Sequence, residues 1–390
     1  MQRRDFIVKS GTMISAAALI GTIGNLNSLN AASSPNKAKK NDKRPNPNDF
    51  SQPIMKAIAI GINAPSPHNT QSWKFKIVDD NSMLFYVDET RFLPATDPTQ
   101  RQIHMGAGCF IETLAIGVEK IGYSAQIDYF PEQYNGKNDY GIKPVAKVTL
   151  SKSNNTVSEL ASYIQSRATN RKAYKGDMIT QAEFDALINS TGSSFSTIKF
   201  ISDSEKIKTY NEMLIKAMEL ESYKYETHDE SRKMMRFSER ERAEKRDGLS
   251  IPQVGFTGIM VPLAEMTLKG GPKAWHKKKS LQRHMDTFTK AVNSAKGYVT
   301  FTTNTNEVID WVKTGRDFVR FCLSMTKHKI DNNPHTQITQ EYEEMWEMTK
   351  KLHELENIKG SGKMQLILRI GRAESPYYSY RRLANDFVIQ

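Results

Sequence analysis

Ten residues, reading Ala-Pro-Ser-Pro-His-Asn-Thr-Gln-Ser-Trp from Ala64 to Trp73, crowd small hydrogen-bonding side chains between two prolines and a tryptophan. Pro65 and Pro67 each fix φ, so Ser66, Asn69 and Gln71 project donors and acceptors from a preset backbone. Groups held this way suit a flat heterocycle with carbonyls and ring nitrogens, because little ordering entropy is lost on binding. His68 either contacts such a ligand or caps the turn. The same residue types also build a structural Asx-type turn. A second group is Arg167, Thr169 and Arg171, two guanidiniums four residues apart with a hydroxyl between them. They stand at the end of a helical pattern, and share one face if the helix continues. They suit a phosphate, through bidentate and charge-assisted hydrogen bonds. A solvated basic turn would use the same residues. The third group is Arg381 and Arg382, which follow a strand-like run and a segment rich in tyrosine. This pair could clamp the same anion.

Other chemistries find little support. The eight histidines show neither HExxH nor a paired metal spacing, so no metal is expected. Gly360-Ser361-Gly362-Lys363 lacks the rest of a P-loop. The two cysteines, Cys109 and Cys322, lie in apolar helical patterns and read as buried thiols. Of the net charge of +12, +5 falls within the first 50 residues. No basic stripe interleaved with aromatics follows, so nucleic acid is not an expected partner.

These groups need elements to hold them. Residues 1–32 open with twin arginines, Arg3 and Arg4, followed by a short apolar run and small residues near Ala31. This pattern predicts an export signal, and the paired arginines resemble the twin-arginine (Tat) type. A Sec signal or an uncleaved anchor fits the same run. The apolar run is too short to span a bilayer, so no stable span is expected in the mature protein. Residues 33–53, rich in Pro, Asn and Lys, predict a disordered linker. A helix then precedes the quoted turn. Strands are predicted at 74–78, 83–87, 126–130 and 144–150, with a helix over 102–121 that stops at Gly122.

The helix around Gly108 has a counterpart around Gly315, 207 residues on, with apolar positions in register. The pattern predicts two tandem α+β halves, residues 54–157 and 158–390. In the second, Thr180 and Glu183 form a T-x-x-E capping box, and strands are expected at 198–201 and 365–371. Residues 222–295 interrupt this half and predict a helical insertion, either a lid or a packing element.

Together the three motifs resemble the nitroreductase superfamily of FMN-binding flavoproteins, and most closely its Acg family, in which one chain carries two nitroreductase-like halves. Pro65, Ser66, Asn69, Gln71 and Trp73 match a Pro-Ser-x-x-Asn-x-Gln-Pro-Trp flavin loop, with Ser72 in place of proline. Arg167, Thr169 and Arg171 resemble the Arg-x-Ser-x-Arg/Lys phosphate motif, and Arg381 or Arg382 its C-terminal basic contact. The resemblance implies a nitroreductase-like fold, with each half a mainly antiparallel sheet flanked by helices. It implies one FMN between the halves of a monomer that mimics a nitroreductase dimer, with a degenerate second pseudo-site. Arg167, Thr169, Arg171 and Arg381/Arg382 would hold the phosphate. Ser66, Asn69 and Gln71 would lie nearer the ring, and residues 332–337 near flavin N5. The expected function is an FMN-dependent oxidoreductase exported to the periplasm through the Tat machinery, with a nitroaromatic or quinone-like acceptor. The alternative is a non-catalytic protein that sequesters FMN under the lid. No catalytic acid or base is required by that chemistry, and none is assigned.

Overall fold

Pro53 opens the first helix, α1 (Pro53–Gly61), where its missing N–H costs nothing. In this computed structural model, which describes residues 43–390, α1 buries Ile54, Ile58 and Ala59 completely. The loop at 64–72 follows, then a hairpin of β1 (Trp73–Asp79) and β2 (Ser82–Val87). Next come α2 (Arg101–Val118), β3 (Tyr123–Tyr129) and β4 (Ala146–Lys152). A short 3-10 turn carries α2 on to Ile121, and Gly122, at φ 77°, supplies the left-handed residue that ends it.

The second half begins with a 3-10 turn over Glu159–Tyr163, then α3 (Gln181–Thr191) and β5 (Thr197–Ile201). Thr180 and Glu183 form the reciprocal capping box. Helices α4 (Ser204–Tyr223), α5 (Tyr225–Lys233), α6 (Glu239–Lys245), α7 (Met260–Leu268), α8 (Pro272–Trp275) and α9 (Lys278–Val292) come next. Then follow β6 (Tyr298–Thr303), α10 (Val308–Lys327), β7 (Asp331–Pro334), α11 (Trp346–Leu355), β8 (Lys363–Gly371) and a short β9 (Val388–Ile389).

The strand orders repeat. The first sheet runs β9-β1-β2-β4-β3 and the second β5-β6-β8-β7. With β1 matched to β5, β2 to β6, β3 to β7 and β4 to β8, the orders are the same. All pairings within these two sheets are antiparallel except β1 with β9. The predicted α+β class with two tandem pseudo-symmetric halves is therefore what the chain adopts. The symmetry extends to the helix crossing between them. A Cβ on Gly108 of α2 would stand 1.8 Å from the Val312 carbonyl oxygen, and one on Gly315 of α10 1.9 Å from that of Met105. Each glycine thus meets the carbonyl three residues before the other. Only a residue without a side chain lets the two backbones approach this closely.

Three expectations are modified. Between β5 and β6 lies everything from α4 to α9, whereas β1 and β2 are joined by a tight turn; the insertion therefore starts before residue 222. The C-terminal tail does not stay with the second half: Phe387 packs its ring 6.0 Å from Trp73, and β9 pairs with β1 at Phe75↔Val388. The expected linker is not solvated as far as residue 53. Lys43 and Arg44 are buried, because Lys43 offers its carbonyl to the Arg381 N–H and its ammonium sits over the Tyr377 ring. The predicted export signal, and the linker up to residue 42, lie outside the described residues. No helix among the described residues is long and apolar enough to cross a membrane.

Candidate functional site

The quoted loop is built on left-handed backbone. His68, Asn69 and Gln71 have φ of 44°, 55° and 52°, a conformation that costs on the order of 1 kcal/mol at each non-glycine residue. Side-chain bonds hold it there. The Asn69 amide nitrogen donates to the carbonyls of Gly248 (3.0 Å) and Tyr380 (3.3 Å), and its oxygen accepts from Arg381 Nη1 at 2.8 Å. Gln71 donates to the Arg246 carbonyl at 2.9 Å and accepts from the Arg382 N–H at 2.8 Å. Asn69 and Gln71 therefore bind the loop to the insertion and the C-terminal tail. Their side chains are spent on protein partners rather than turned to a ligand. The Ser66 hydroxyl accepts from the Gln71 N–H at 3.1 Å and closes the turn.

Pro65, Ser66, Pro67 and His68 instead form one wall of a cavity of about 300 Å³, at the small end of ligand-pocket size. Thr169 and Arg171 form another part, and Asn333, His335, Thr336 and Gln337 a third. The insertion closes over them with Val254, Phe256, Met260, Leu263, Trp275 and His284. Residues of the insertion thus form part of the cavity wall. His68 is half-buried, its Nδ1 is shut off from solvent with no partner, and desolvation and the nearby Arg171 push its pKa down to about 4. It faces the cavity as a neutral ring.

Beyond the loop lies a cluster of four arginines, of which Arg44, Arg167 and Arg381 are buried and Arg171 is half-buried. Arg167 is 3% exposed, and its Nε and Nη1 have no hydrogen-bond partner among the described residues. Burial holds its pKa below the ordinary value. Arg44 is pushed down to about 9 by burial and by Arg167. Arg171 is pushed down to about 10, mainly by burial. Arg381 falls well below its usual value, by burial and by Arg44 and Arg167. None of these four forms an ion pair with a carboxylate among the described residues. Arg381 is the best satisfied, donating to the carbonyls of Ile62 and Ala64 and so fixing the entry to the loop. Arg382 points elsewhere, toward the Asp386 carbonyl and the Phe387 ring.

Residues 167–171 are not helical, contrary to the shared helical face expected for Arg167 and Arg171. The Asn170 N–H donates to the Asn332 carbonyl and its side chain to that of Glu374, which pins the segment as irregular backbone. Arg171 still reaches the cavity wall, and Arg167, which is not part of that wall, lies near enough to Arg171 to lower its pKa. Arg44 was missed, because one arginine in a run of Lys, Asn and Pro carries no local sign of burial. Its Nη1 donates at 3.1 Å to Asn63, whose amide in turn caps the end of α1.

The position related by the pseudo-symmetry is occupied differently. Arg316, the counterpart of Cys109 on the cavity wall, and Arg320 both pair with Glu112. The Asp317 carboxylate accepts the N–H groups of Phe195 and Ser196, in the segment that replaces the proline-rich loop. Charges there are already neutralised within the protein. No group of His, Cys, Asp and Glu able to hold a metal ion occurs among the described residues.

Comparison with known proteins gives the following. No family model matches the chain. It is 31% identical over 78 residues to "Putative NAD(P)H nitroreductase acg" of Mycobacterium tuberculosis, covering 20% of this chain and 23% of that protein. It is 25% identical over 123 residues to a second M. tuberculosis protein named as a putative NAD(P)H nitroreductase, covering 31% and 34%. These matches thus span about a quarter to a third of the relatives' length. Among solved structures, the FMN-dependent nitroreductase NfnB of Mycobacterium smegmatis in complex with NADPH aligns at 13% identity and a TM-score of 0.35, over 56% of this chain and 90% of that one. By sequence, the chain is a relative of the Acg-like proteins of the nitroreductase superfamily.

Proposed function

We propose that the chain is an FMN-dependent oxidoreductase with one FMN between its two halves. The observation that carries this reading is the cluster of Arg44, Arg167 and Arg381, buried without a carboxylate, with the half-buried Arg171 on the cavity wall beside them. An unpaired buried cation costs several kcal/mol, and a dianionic phosphate at this end would offset that cost. The unpartnered buried atoms elsewhere fit the rest of such a ligand. His68 Nδ1, His335 Nδ1, Gln337 Oε1 and Gln340 Oε1 lack partners, and each belongs to a cavity-lining residue. In this reading Arg167, Arg171 and Arg44 hold the phosphate, while Arg381 positions the loop. Pro65, Ser66 and His68 border the ring system, together with the stretch from Asn333 to Gln337. The insertion excludes water. Bound FMN would supply hydride and electron transfer to an acceptor, the chemistry that side chains lack.

The carboxyl of Glu221 on the cavity wall is pushed up to about 7 by burial, and it accepts from the Gln340 amide at 2.8 Å. It is placed to hold a proton near neutral pH. The symmetry-related position, with its arginines already paired, supports a single site. Export by the Tat route and a periplasmic location belong to the same proposal, on the sequence of residues 1–32. So do a monomeric state and a nitroaromatic or quinone-like acceptor.

Closure of the cavity by the insertion favours a second reading, in which FMN is stored rather than turned over. The test is direct. Purified protein should carry flavin absorbance, or acquire it from added FMN; a protein that binds none sinks both readings. Reducing the bound flavin with NADPH or dithionite and then adding a nitroaromatic or a quinone separates them. Prompt reoxidation supports the oxidoreductase, and none supports storage.

A further inference from the structure

The cover of the cavity has an outer face that the flavin reading leaves unused. Ile259 is 83% exposed and Met266 72%, while Leu263 is 47% and Met260 44%. Met260 and Leu263 also line the cavity, so α7 separates the cavity from solvent by the thickness of one helix. Contiguous exposed apolar side chains of this kind mark an interaction surface. The chain that follows is strongly basic. Residues 266–285 hold five lysines and one arginine and no acidic residue. Lys269, Lys273, Lys277, Lys278 and Lys279 are all exposed, and none forms an ion pair among the described residues.

The placement of three of these lysines does not serve the fold. Lys277 is the N-cap of α9, and Lys278 and Lys279 occupy its first turn, with no acidic residue there. The helix macrodipole is positive at that end and favours anions. Three cations there are electrostatically unfavourable until something anionic approaches from outside.

We propose that α7 and the basic run after it dock on an anionic lipid bilayer. Ile259, Leu263 and Met266 would enter the acyl boundary, and Lys269, Lys273 and Lys277–Lys279 would meet the headgroups. Apolar side chains flanked by lysine are the composition of interfacial membrane helices, and clustered lysines are drawn to anionic headgroups. A protein partner fits less well, because protein interfaces are depleted in lysine and anchored on Tyr, Trp and Arg. The exposed apolar face of α7 offers only aliphatic and thioether side chains. Docking would set this wall of the cavity against the membrane.

The test uses the full chain and two variants, Ile259→Ser/Met266→Ser and Lys277→Glu/Lys278→Glu/Lys279→Glu. Residues 1–42 are common to all three, so any contribution from them cancels. All three should keep the same circular dichroism and thermal midpoint, since the altered residues are exposed. Flotation with phosphatidylglycerol-containing vesicles should show the unaltered chain partitioning at least about tenfold more strongly than either variant, with binding weakened by salt. Equal binding by all three proteins would overturn the proposal. So would equal binding of the unaltered chain to purely zwitterionic vesicles. If instead the serine variant loses a dimer seen by sedimentation and vesicle binding does not change, the face belongs to a second copy and the proposal fails. Flotation needs no bound flavin, so a failure of the flavin reading leaves this result standing.

Discussion

Arg167 has the least ordinary environment of any charged side chain at the site. It is buried, its Nε and Nη1 are unpartnered, and the groups closest to it electrostatically are Cys109, Cys322 and Tyr378 rather than a carboxylate. Removing one member of a buried ion pair is destabilising because it strands the other. Here no pair exists among the described residues, so the sign reverses. Arg167→Met should stabilise the flavin-free protein by about 1–3 kcal/mol in urea denaturation, while abolishing FMN binding. A loss of stability would mean that the guanidinium is satisfied by the fold itself. Arg44→Gln should weaken FMN binding by about tenfold, the loss of one charge-assisted contact. It should leave riboflavin binding unchanged, since riboflavin has no phosphate; calorimetric titration with both ligands checks this. An equal loss for both would place Arg44 in the structure and not at the phosphate.

At the scale of elements, the crossing of α2 and α10 joins the halves. Its close approach depends on Gly108 and Gly315, where an added Cβ would overlap a backbone carbonyl that cannot swing aside. Gly315→Ala should cost about 3 kcal/mol or more, read as a lowered urea midpoint or as insoluble protein. Because Met105, Gly106, Cys109 and Phe318 on these helices line the cavity, any variant that folds should also bind FMN more weakly. The loop at 64–72 is likewise held from outside. Without the carbonyls of Arg246, Gly248 and Tyr380, Asn69 and Gln71 would lose the partners that offset their left-handed backbone.

For the whole molecule, buried histidines set the response to acid. His68, His104, His284 and His353 are each pushed down by burial to about 4 and His228 to about 3, and burial holds His335 well below its ordinary value. Below pH 6.5 the unfolded chain takes up protons that the folded one refuses, so stability is lost as pH falls from 6.5 through 4. Glu221 acts in the opposite sense. Its raised value, about 7, means stability is lost as pH rises from the ordinary carboxylate range through 7. Asp97, pushed up by burial to about 6, and Asp317 and Asp331, also raised, act in the same sense as Glu221, but the six histidines outweigh these carboxyls on the acid side, and Glu221 alone acts just above pH 6.5. The thermal midpoint should therefore peak near pH 6.5 and decline on both sides. Glu221→Gln should remove the decline between pH 6.5 and 7.5 and leave the acid limb; an unchanged upper limb would show that Glu221 titrates normally.

The repeat was legible from residues alone. Apolar positions in register around Gly108 and Gly315 express local periodicity, which marks in the chain itself the segments able to bury one face as helices or strands. The same holds for the Thr180 capping box, the stop at Gly122 and the presence of a proline-stiffened loop. What the sequence could not decide was which polar side chains face a ligand and which face protein. Asn69 and Gln71 are committed to carbonyls 175 or more residues away. Arg381 faces the cluster while its neighbour Arg382 does not, and Arg44 leaves its polar run to be buried beside Arg167. Such choices depend on partners brought together only when the tail crosses to the first sheet and the insertion folds over the cavity. Hydrogen bonds and desolvation act over a few ångströms in space, and distance along the chain does not record them.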